Sequence, residues 1–273
     1  YLNRTPASAG NRKTLTWSGW VKRGALGGAY GIFSAGTNSS INIDAIEFNI
    51  SDQLRLYSYN AGYTFHYITT QVFRDPSAWY HIIVAVDTTQ ATASNRVKVY
   101  VNGSQVTSFG TQVDPSLNAD CQYFNTTNIH AIGSVYTDLR YFDGYFADVN
   151  FIDGQALDPT SFGSTNALTG VWQPIAYTGT YGTNGFYLDF EDTSSVAALG
   201  TDDSGNGNTW TVNNISLTAG VTYDSMTDVP TLTSATAANY AVLNPLSLAG
   251  SGTGSLTNAN LTLTSPGTNG TGA

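Results

Sequence analysis

The chain has 273 residues, 41% hydrophobic but only 11% charged, so it can bury a core and is not a disordered polymer, and its exterior must come from Ser, Thr, Asn, Gly and Tyr rather than ions. Lys and Arg number 10 against 19 Asp and Glu, for a net charge of −9; this excludes a partner read through its phosphates. The single cysteine, Cys121, excludes an intrachain disulfide and a cysteine-rich zinc site.

Along the chain, apolar residues recur with a period of two far more often than 3.6. Thr14–Val21 alternates and predicts a strand, as do Ile46–Ile50 and Leu54–Leu56. Trp79–Asp87 is a longer, continuous run, as expected of a central strand buried on both faces. Arg96–Val101 alternates again and ends at Asn102-Gly103, the pair that best accepts the positive φ angles of a type I′ hairpin turn, with Gln105 and Val106 starting the return strand. Further strands read at Ile129–Gly133, Tyr145–Ile152, Phe186–Phe190 and Thr209–Ile215. Phe186, Leu188 and Phe190 would share one face. Asp158-Pro159 reads as a cap and a single helical turn. Ser234–Leu243 has the composition for two helical turns. The predicted fold is all-β: an antiparallel two-sheet jelly-roll sandwich with very little helix.

Composition divides the chain at about Thr231. Residues 1–230 hold the strands of the sandwich. Residues 231–273 have no charge and one aromatic, Tyr240; they read as a linker or as the start of a following β module, with Leu256–Leu263 as a strand. Charge divides it elsewhere. Arg140 is the last basic residue, and the first 140 residues carry ten basic against eight acidic side chains. The acidic second half disfavours acidic membranes and polyanions. No apolar run approaches the ~20 residues of a membrane span. The opening Tyr1-Leu2, without Met, reads as a fragment or a processed product.

Three segments in fixed order carry a family resemblance: Leu15-Thr16-Trp17-Ser18-Gly19-Trp20-Val21-Lys22; Trp79–Asp87 followed by Val97–Gly103; and Phe142–Phe151 leading to Gln155-Ala156-Leu157-Asp158. Together they resemble the laminin-G-like, concanavalin A-type jelly-roll domains over roughly residues 1–160. The resemblance implies that Tyr1-Leu2 closes a first strand. Beyond it, Phe162-Gly163, Gly170–Pro174, Tyr181–Phe190, Asp203–Asn208 and Tyr223–Thr231 look like the version in bacteriophage and marine-virus fibre or appendage proteins. There, a segment like Asn239–Pro245 leads into a SPRY-type domain. That narrower resemblance implies an extracellular, virion-surface location, a host glycan or receptor as partner, other virion or fibre subunits as neighbours, and a homo-oligomer. It implies neither nucleic acid binding nor membrane insertion.

No motif here is plainly chemical. Glycoside hydrolysis needs two carboxyl groups about 5–10 Å apart in a cleft. The glucanases of this architecture carry Glu-x-Asp-x-Glu, and only Asp189-Phe190-Glu191 imitates it, with Tyr187 and Thr193 where the third acid would stand. His66, His81 and His130 lie in unrelated contexts and predict no triad; no catalytic residue is expected. Asp202, Asp203, Asn206 and Asn208, in a Gly-containing turn, offer oxygens that suit Ca²⁺; the plainer expectation is a turn entering the Trp210 strand. Sugar recognition, by aromatic faces flanked by hydrogen-bonding groups, has three candidate loops: Tyr57, Tyr59, Tyr63 and His66; Tyr136, Asp138 and Tyr141; Tyr177 and Tyr181. Two readings stand open. One is attachment to a host surface, through glycan. The other is a structural module whose tyrosines meet neighbouring subunits. A secreted polysaccharide hydrolase is a third, against the missing acid cluster.

Overall fold

In the computed structural model, residues 1–37, 42–135, 140–219, 223–231, 237–243, 255–257 and 260–264 are described. Their strands are β1 (Leu2–Arg4), β2 (Thr14–Arg23), β3 (Tyr30–Gly36), β4 (Asn42–Phe48), β5 (Gln53–Asn60), β6 (Tyr63–Val72), β7 (Trp79–Asp87), β8 (Val97–Val101) and β9 (Ser104–Gln105). They continue with β10 (Phe109–Val113), β11 (Ile129–Ile132), β12 (Gly144–Asp153), β13 (Gly163–Thr165), β14 (Trp172–Pro174), β15 (Phe186–Leu188), β16 (Thr211–Val212), β17 (Ser255–Thr257) and β18 (Thr262–Thr264). An eight-stranded sheet runs β10-β6-β5-β4-β3-β11-β1-β16, and a six-stranded sheet runs β15-β12-β2-β7-β8-β9. Pairing within both is antiparallel. The two face each other as the expected all-β sandwich.

Alternation explains the core between them. Leu15, Trp17 and Val21 of β2 and Ile82, Val84 and Val86 of β7 point inward and are buried. From the facing sheet, Phe33 stands at the centre of an aromatic group, with ring centroids 6.1 Å from Trp17, 5.1 Å from Phe124 and 5.8 Å from Phe151. Trp79–Asp87 forms the predicted strand with the predicted bounds, inside its sheet. The hairpin turn after β8 has φ of 48° at Asn102 and 80° at Gly103. A Cβ on Gly103 would also lie 2.7 Å from the Trp172 ring, so glycine is required there twice over.

Several sequence expectations need correction. The strand read at Phe186–Phe190 stops at Leu188, because Phe190 turns to φ 61°. Thr209–Ile215 contributes only Thr211–Val212. Ile46–Ile50 ends at Phe48, where the Asn49 side chain accepts the amides of Ser51 and Gln53 and turns the chain. Of Ser234–Leu243, residues 237–243 are described and are not helical. Ala238 donates its amide to the Thr227 carbonyl and accepts from Val229, so its backbone pairs across the chain instead of up a helix. Leu256–Leu263 is a hairpin rather than one strand: β17 pairs with β18, and Asn260 turns at φ 68°. The predicted cap is present, with the Asp158 carboxylate accepting the Thr160 amide ahead of a 3₁₀ turn.

The outer face of the six-stranded sheet is also buried, which simple alternation does not anticipate. Thr16, Ser18, Trp20 and Lys22 point outward from β2, yet none is more than 3% exposed. Residues 154–181 cover part of this face: Ile83, Ile152 and Phe162 form a second apolar cluster, capped by Tyr177 and Tyr181. His81 lies between Trp20 and Trp172, with the Trp20 ring 4.7 Å away and nearly parallel. Trp172 Nε1 donates to His81 Nδ1 at 2.9 Å, so His81 Nε2 carries the hydrogen and donates to Ser18 Oγ at 2.8 Å. Burial pushes the His81 pKa down to about 3. Further along, the Lys22 ammonium donates to Asp228 Oδ2 at 2.6 Å, Asn239 Oδ1 at 2.8 Å and the Tyr240 carbonyl at 2.7 Å. Trp79 Nε1 donates to Asp228 Oδ1 at 2.9 Å. The C-terminal segment is thus held on the sheet by a buried cation. Asn260 adds a bond from its side-chain amide to the Gly24 carbonyl.

Two outcomes follow from these contacts. Replacing Asp228 with Ala leaves the Lys22 charge buried beside two neutral oxygens; stability should fall by about 3 kcal/mol, and chymotrypsin should cut faster at Tyr240, as read by urea melts and protease mapping. For His81, the unfolded ring takes up a proton below about pH 6.5 that the folded ring refuses until about pH 3. Stability is therefore lost as pH falls through that window. His81→Gln should reduce the slope of unfolding free energy against pH between 6 and 4 by about 1.4 kcal/mol per unit; an unchanged slope would show that the native ring is protonated in place.

Candidate functional site

The outer face of the eight-stranded sheet is built differently. Strand register places Glu47 of β4 opposite Arg55 of β5, Tyr57 of β5 opposite His66 of β6, and Tyr59 opposite Tyr63. Period two turns Glu47, Arg55, Tyr57, Tyr59 and His66 to the same side. Glu47 is 1% exposed. Arg55 Nη1 donates to its Oε1 at 3.1 Å, and Arg140 Nη1, arriving from the segment after β11, donates to its Oε2 at 2.5 Å. The Arg55 guanidinium lies 4.1 Å above the centroid of the Tyr57 ring, a cation–π contact. Its Nη2 donates to the Tyr63 hydroxyl at 2.9 Å, and its Nε donates to His66 Nε2 at 3.1 Å. His66 accepts there and is neutral; partial burial, then the Arg55 charge, lower its pKa to about 4. Burial, then the nearby Glu47, raises the Tyr57 hydroxyl pKa well above its usual value.

Above this charged floor stands a wall of rings. Tyr63 and His66 stack at 4.1 Å with their planes 13° apart. Tyr59 meets Tyr63 edge-on at 4.9 Å. Tyr57 is 5% exposed and supports the wall from below, whereas Tyr63 is 42% exposed. The group is a rigid, partly open aromatic surface whose polar atoms already hold one another in place.

The first predicted loop is therefore mostly strand. Tyr57 and Tyr59 lie on β5 and Tyr63 and His66 on β6, and only Ala61-Gly62 form the tip. Tyr136 and Asp138 fall outside the described residues. Tyr141 does not join the group; it packs against Tyr1 at 5.5 Å. Tyr177 and Tyr181 lie on the opposite side of the sandwich, over the six-stranded sheet. There Tyr177 packs on Phe162 at 5.2 Å and the Tyr181 hydroxyl donates to Asn150 Oδ1 at 3.1 Å. The three predicted loops thus occupy three places. Sequence reading missed Glu47, Arg55 and Arg140 as members of the site. The available signal was charge placed in an alternating strand of a charge-poor chain.

The predicted calcium loop holds its own turn. Asp202 Oδ1 accepts the amides of Tyr187 and Ser204, and Oδ2 accepts that of Asn208. Asn206 Nδ2 donates to the carbonyls of Gly182 and Gly185, and Asn208 Nδ2 to those of Thr183 and Gly185. Among the described residues, no three or more His, Cys, Asp or Glu are grouped to hold a metal ion.

A cleft of about 1310 Å³ opens elsewhere, between Tyr1, residues 141–148, residues 189–191 and residues 223–231. Asp189 and Glu191 line it, but not as a pair on one strand face. The chain has left β15 at Leu188, and the Glu191 amide donates to Asp189 Oδ1 at 2.9 Å in a local turn. Asp148 stands near them, with its pKa raised by burial and by the charges of Asp189 and Glu191 against the opposing effect of a Tyr187 hydroxyl bond.

Comparisons place this architecture among known proteins. The family model described as the concanavalin A-like lectin/glucanases superfamily, in its laminin G form, matches residues 2–161. A proposed carbohydrate-binding protein from Bacteroides ovatus superposes with a TM-score of 0.51 at 15% identity, over 77% of this chain and 54% of that one. The chain thus spans about half the length of that protein. A heptameric pentraxin from Limulus polyphemus gives 0.40 at 18% identity over 57% and 70% of the two chains. Domains LG4-5 of the mouse laminin alpha1 chain give 0.39 at 12% over 65% and 42%. At such identities these are likenesses of fold. No curated protein matches the sequence. With a family match across more than half its length and the two facing antiparallel sheets, the chain belongs to the concanavalin A-like lectin/glucanase superfamily.

Proposed function

We propose that this protein is a non-enzymatic adhesion module that binds carbohydrate on the outer face of its eight-stranded sheet. The observation that carries the reading is the ring wall of Tyr59, Tyr63 and His66 standing directly beside the Arg55–Glu47–Arg140 group. A pyranose presents C–H groups on its face, which pack on aromatic rings, and hydroxyls on its rim, which need fixed polar partners. A site already ordered by internal hydrogen bonds loses little entropy on binding. The absence of turnover has its own support. Both carboxylate oxygens of Glu47 are taken up by guanidiniums, and Asp189 and Glu191 sit in a turn. Hydrolysis would need two carboxyls across the scissile bond.

The wider setting we propose is a fibre or appendage on a virion surface, facing a host glycan or receptor and assembled with other subunits, in keeping with the segments between Phe162 and Thr231 that resemble such proteins. The exposed apolar hairpin between β13 and β14, with Leu168 at 97% and Val171 at 52% exposure, favours subunit contacts on the side of the sandwich away from the sugar face.

A glycan array probed with the purified chain tests the reading. At least one glycan should bind, and Tyr63→Ala should weaken it at least about tenfold, a loss of 1.4 kcal/mol or more, with no change in melting temperature. A chain that forms a stable oligomer and binds no glycan would favour the purely structural role instead.

A further inference from the structure

We propose that the folded chain joins Lys22 to Asn239 by an amide bond, with Asp228 carrying the proton, because the three side chains meet as nucleophile, electrophile and base in one pocket. Lys22 Nζ lies 2.6 Å from Asp228 Oδ2 and 2.8 Å from Asn239 Oδ1. The Lys22 side chain is 0% exposed and that of Asp228 3%. Register sets Trp79 of β7 and Tyr145 of β12 directly beside Lys22 of β2, so rings wall the pocket. Trp79 Nε1 donates to Asp228 Oδ1 at 2.9 Å and leaves Oδ2 to face the amine.

A lysine in water does not attack an amide, since it is protonated, solvated and rarely in contact with one. Here the fold supplies the contact, which by itself removes much of such a barrier. Burial strips water from the amine, and a carboxylate stands within proton-transfer distance. Asp228 takes one proton from Nζ, which leaves no charge in the pocket. The Nζ lone pair adds to Asn239 Cγ, and Asp228 hands the proton on to Asn239 Nδ2. The Cγ–Nδ2 bond then breaks and ammonia leaves; a second Nζ proton, passed through Asp228, makes it ammonium. One C–N bond forms and one breaks, nothing is oxidised or reduced, and the Asp228 carboxylate is restored. Asn239 is exposed as a residue, which gives the ammonia a way out. The product ties β2 to a segment 217 positions later, so the cover over the six-stranded sheet is fastened as well as packed.

Denaturing mass spectrometry of the purified chain tests this. The mass should be that of the sequence less one ammonia, about 17 Da. Trypsin should no longer cut after Lys22. It should release Thr14–Arg23 joined to the fragment that starts at Tyr141, since no Lys or Arg follows Arg140. Lys22→Arg and Asn239→Ala should each keep the full mass, and Asp228→Asn should leave the bond unformed. The readings of the unmodified chain decide the matter even where a variant does not fold. Full mass with normal cutting after Lys22 overturns the proposal and leaves a lasting ion pair. Ammonia lost with the Lys22 peptide free, by a ring closed within Asn239 itself, overturns it too, as does a bond from Lys22 to Asp228.

Discussion

Lys22 and His81 sit on the outer face of the six-stranded sheet with essentially no solvent contact, and the later part of the chain is arranged around that fact. A buried ammonium is costly unless its charge and its hydrogens are matched. Nothing within β2 or its neighbours matches Lys22; its partners are Asp228, Asn239 and Tyr240, more than 200 residues further on. His81 is completed in the same manner by Trp172. These polar groups make the cover specific as well as apolar. A greasy face would accept any greasy lid, whereas this one sets where each covering segment must lie. The consequence for function is direct: over β2 and the centre of β7 that face is closed to a ligand.

The eight-stranded sheet solves a similar problem inside itself. Glu47 is as buried as Lys22, but its counter-charges come from Arg55 on the adjacent strand and from Arg140. The guanidiniums keep about a quarter of their surface in solvent and need no lid. The surrounding rings are fixed by one another, through the Tyr63–His66 stack and the cation–π contact to Tyr57. One sheet therefore ends in a covered face and the other in an open, preorganised one. That asymmetry supports the proposed sugar face more strongly than the count of tyrosines does, since Tyr177 and Tyr181, equally prominent in the sequence, serve the cover.

What could be read in advance follows the range of the interactions. Trp79–Asp87 and the Asn102-Gly103 hairpin are local and were legible, because period and turn chemistry lie in neighbouring residues. The segment Tyr30–Gly36 was not, since its glycines, serine and alanine break the alternation and its place between β4 and β11 is fixed by pairing. Tyr57–Tyr63 looked like loop because Asn60-Ala61-Gly62 marks a turn, and β5 before it has no β-branched residue. The site itself depended on register: that Glu47 faces Arg55, and that Arg140 folds back onto it, are contacts between charges no spacing rule connects. Lys22 was invisible for the same reason, its partner lying 206 positions away.

The family match ends at residue 161, but the sandwich does not. β15 extends one sheet and β16 the other, pairing with β1. Trp210 enters the main core beside Phe186, at 4.8 Å. Asp153, Asn125 and Asn184 form a buried polar knot, with Asp153 accepting from Asn125 at 2.6 Å and from the Asn184 amide at 3.1 Å. The later segments are thus structural parts of the same body. They attach to the six-stranded side and to the sheet ends, whereas the ring wall and its arginines belong wholly to β4, β5, β6 and Arg140, inside the matched region. A substitution that retunes the ring wall does not touch the Lys22 or His81 partners, and a change in the covering hairpins does not touch Glu47. The two faces can therefore change independently, which on the adhesion reading proposed above would let the ligand vary while the mounting stays the same.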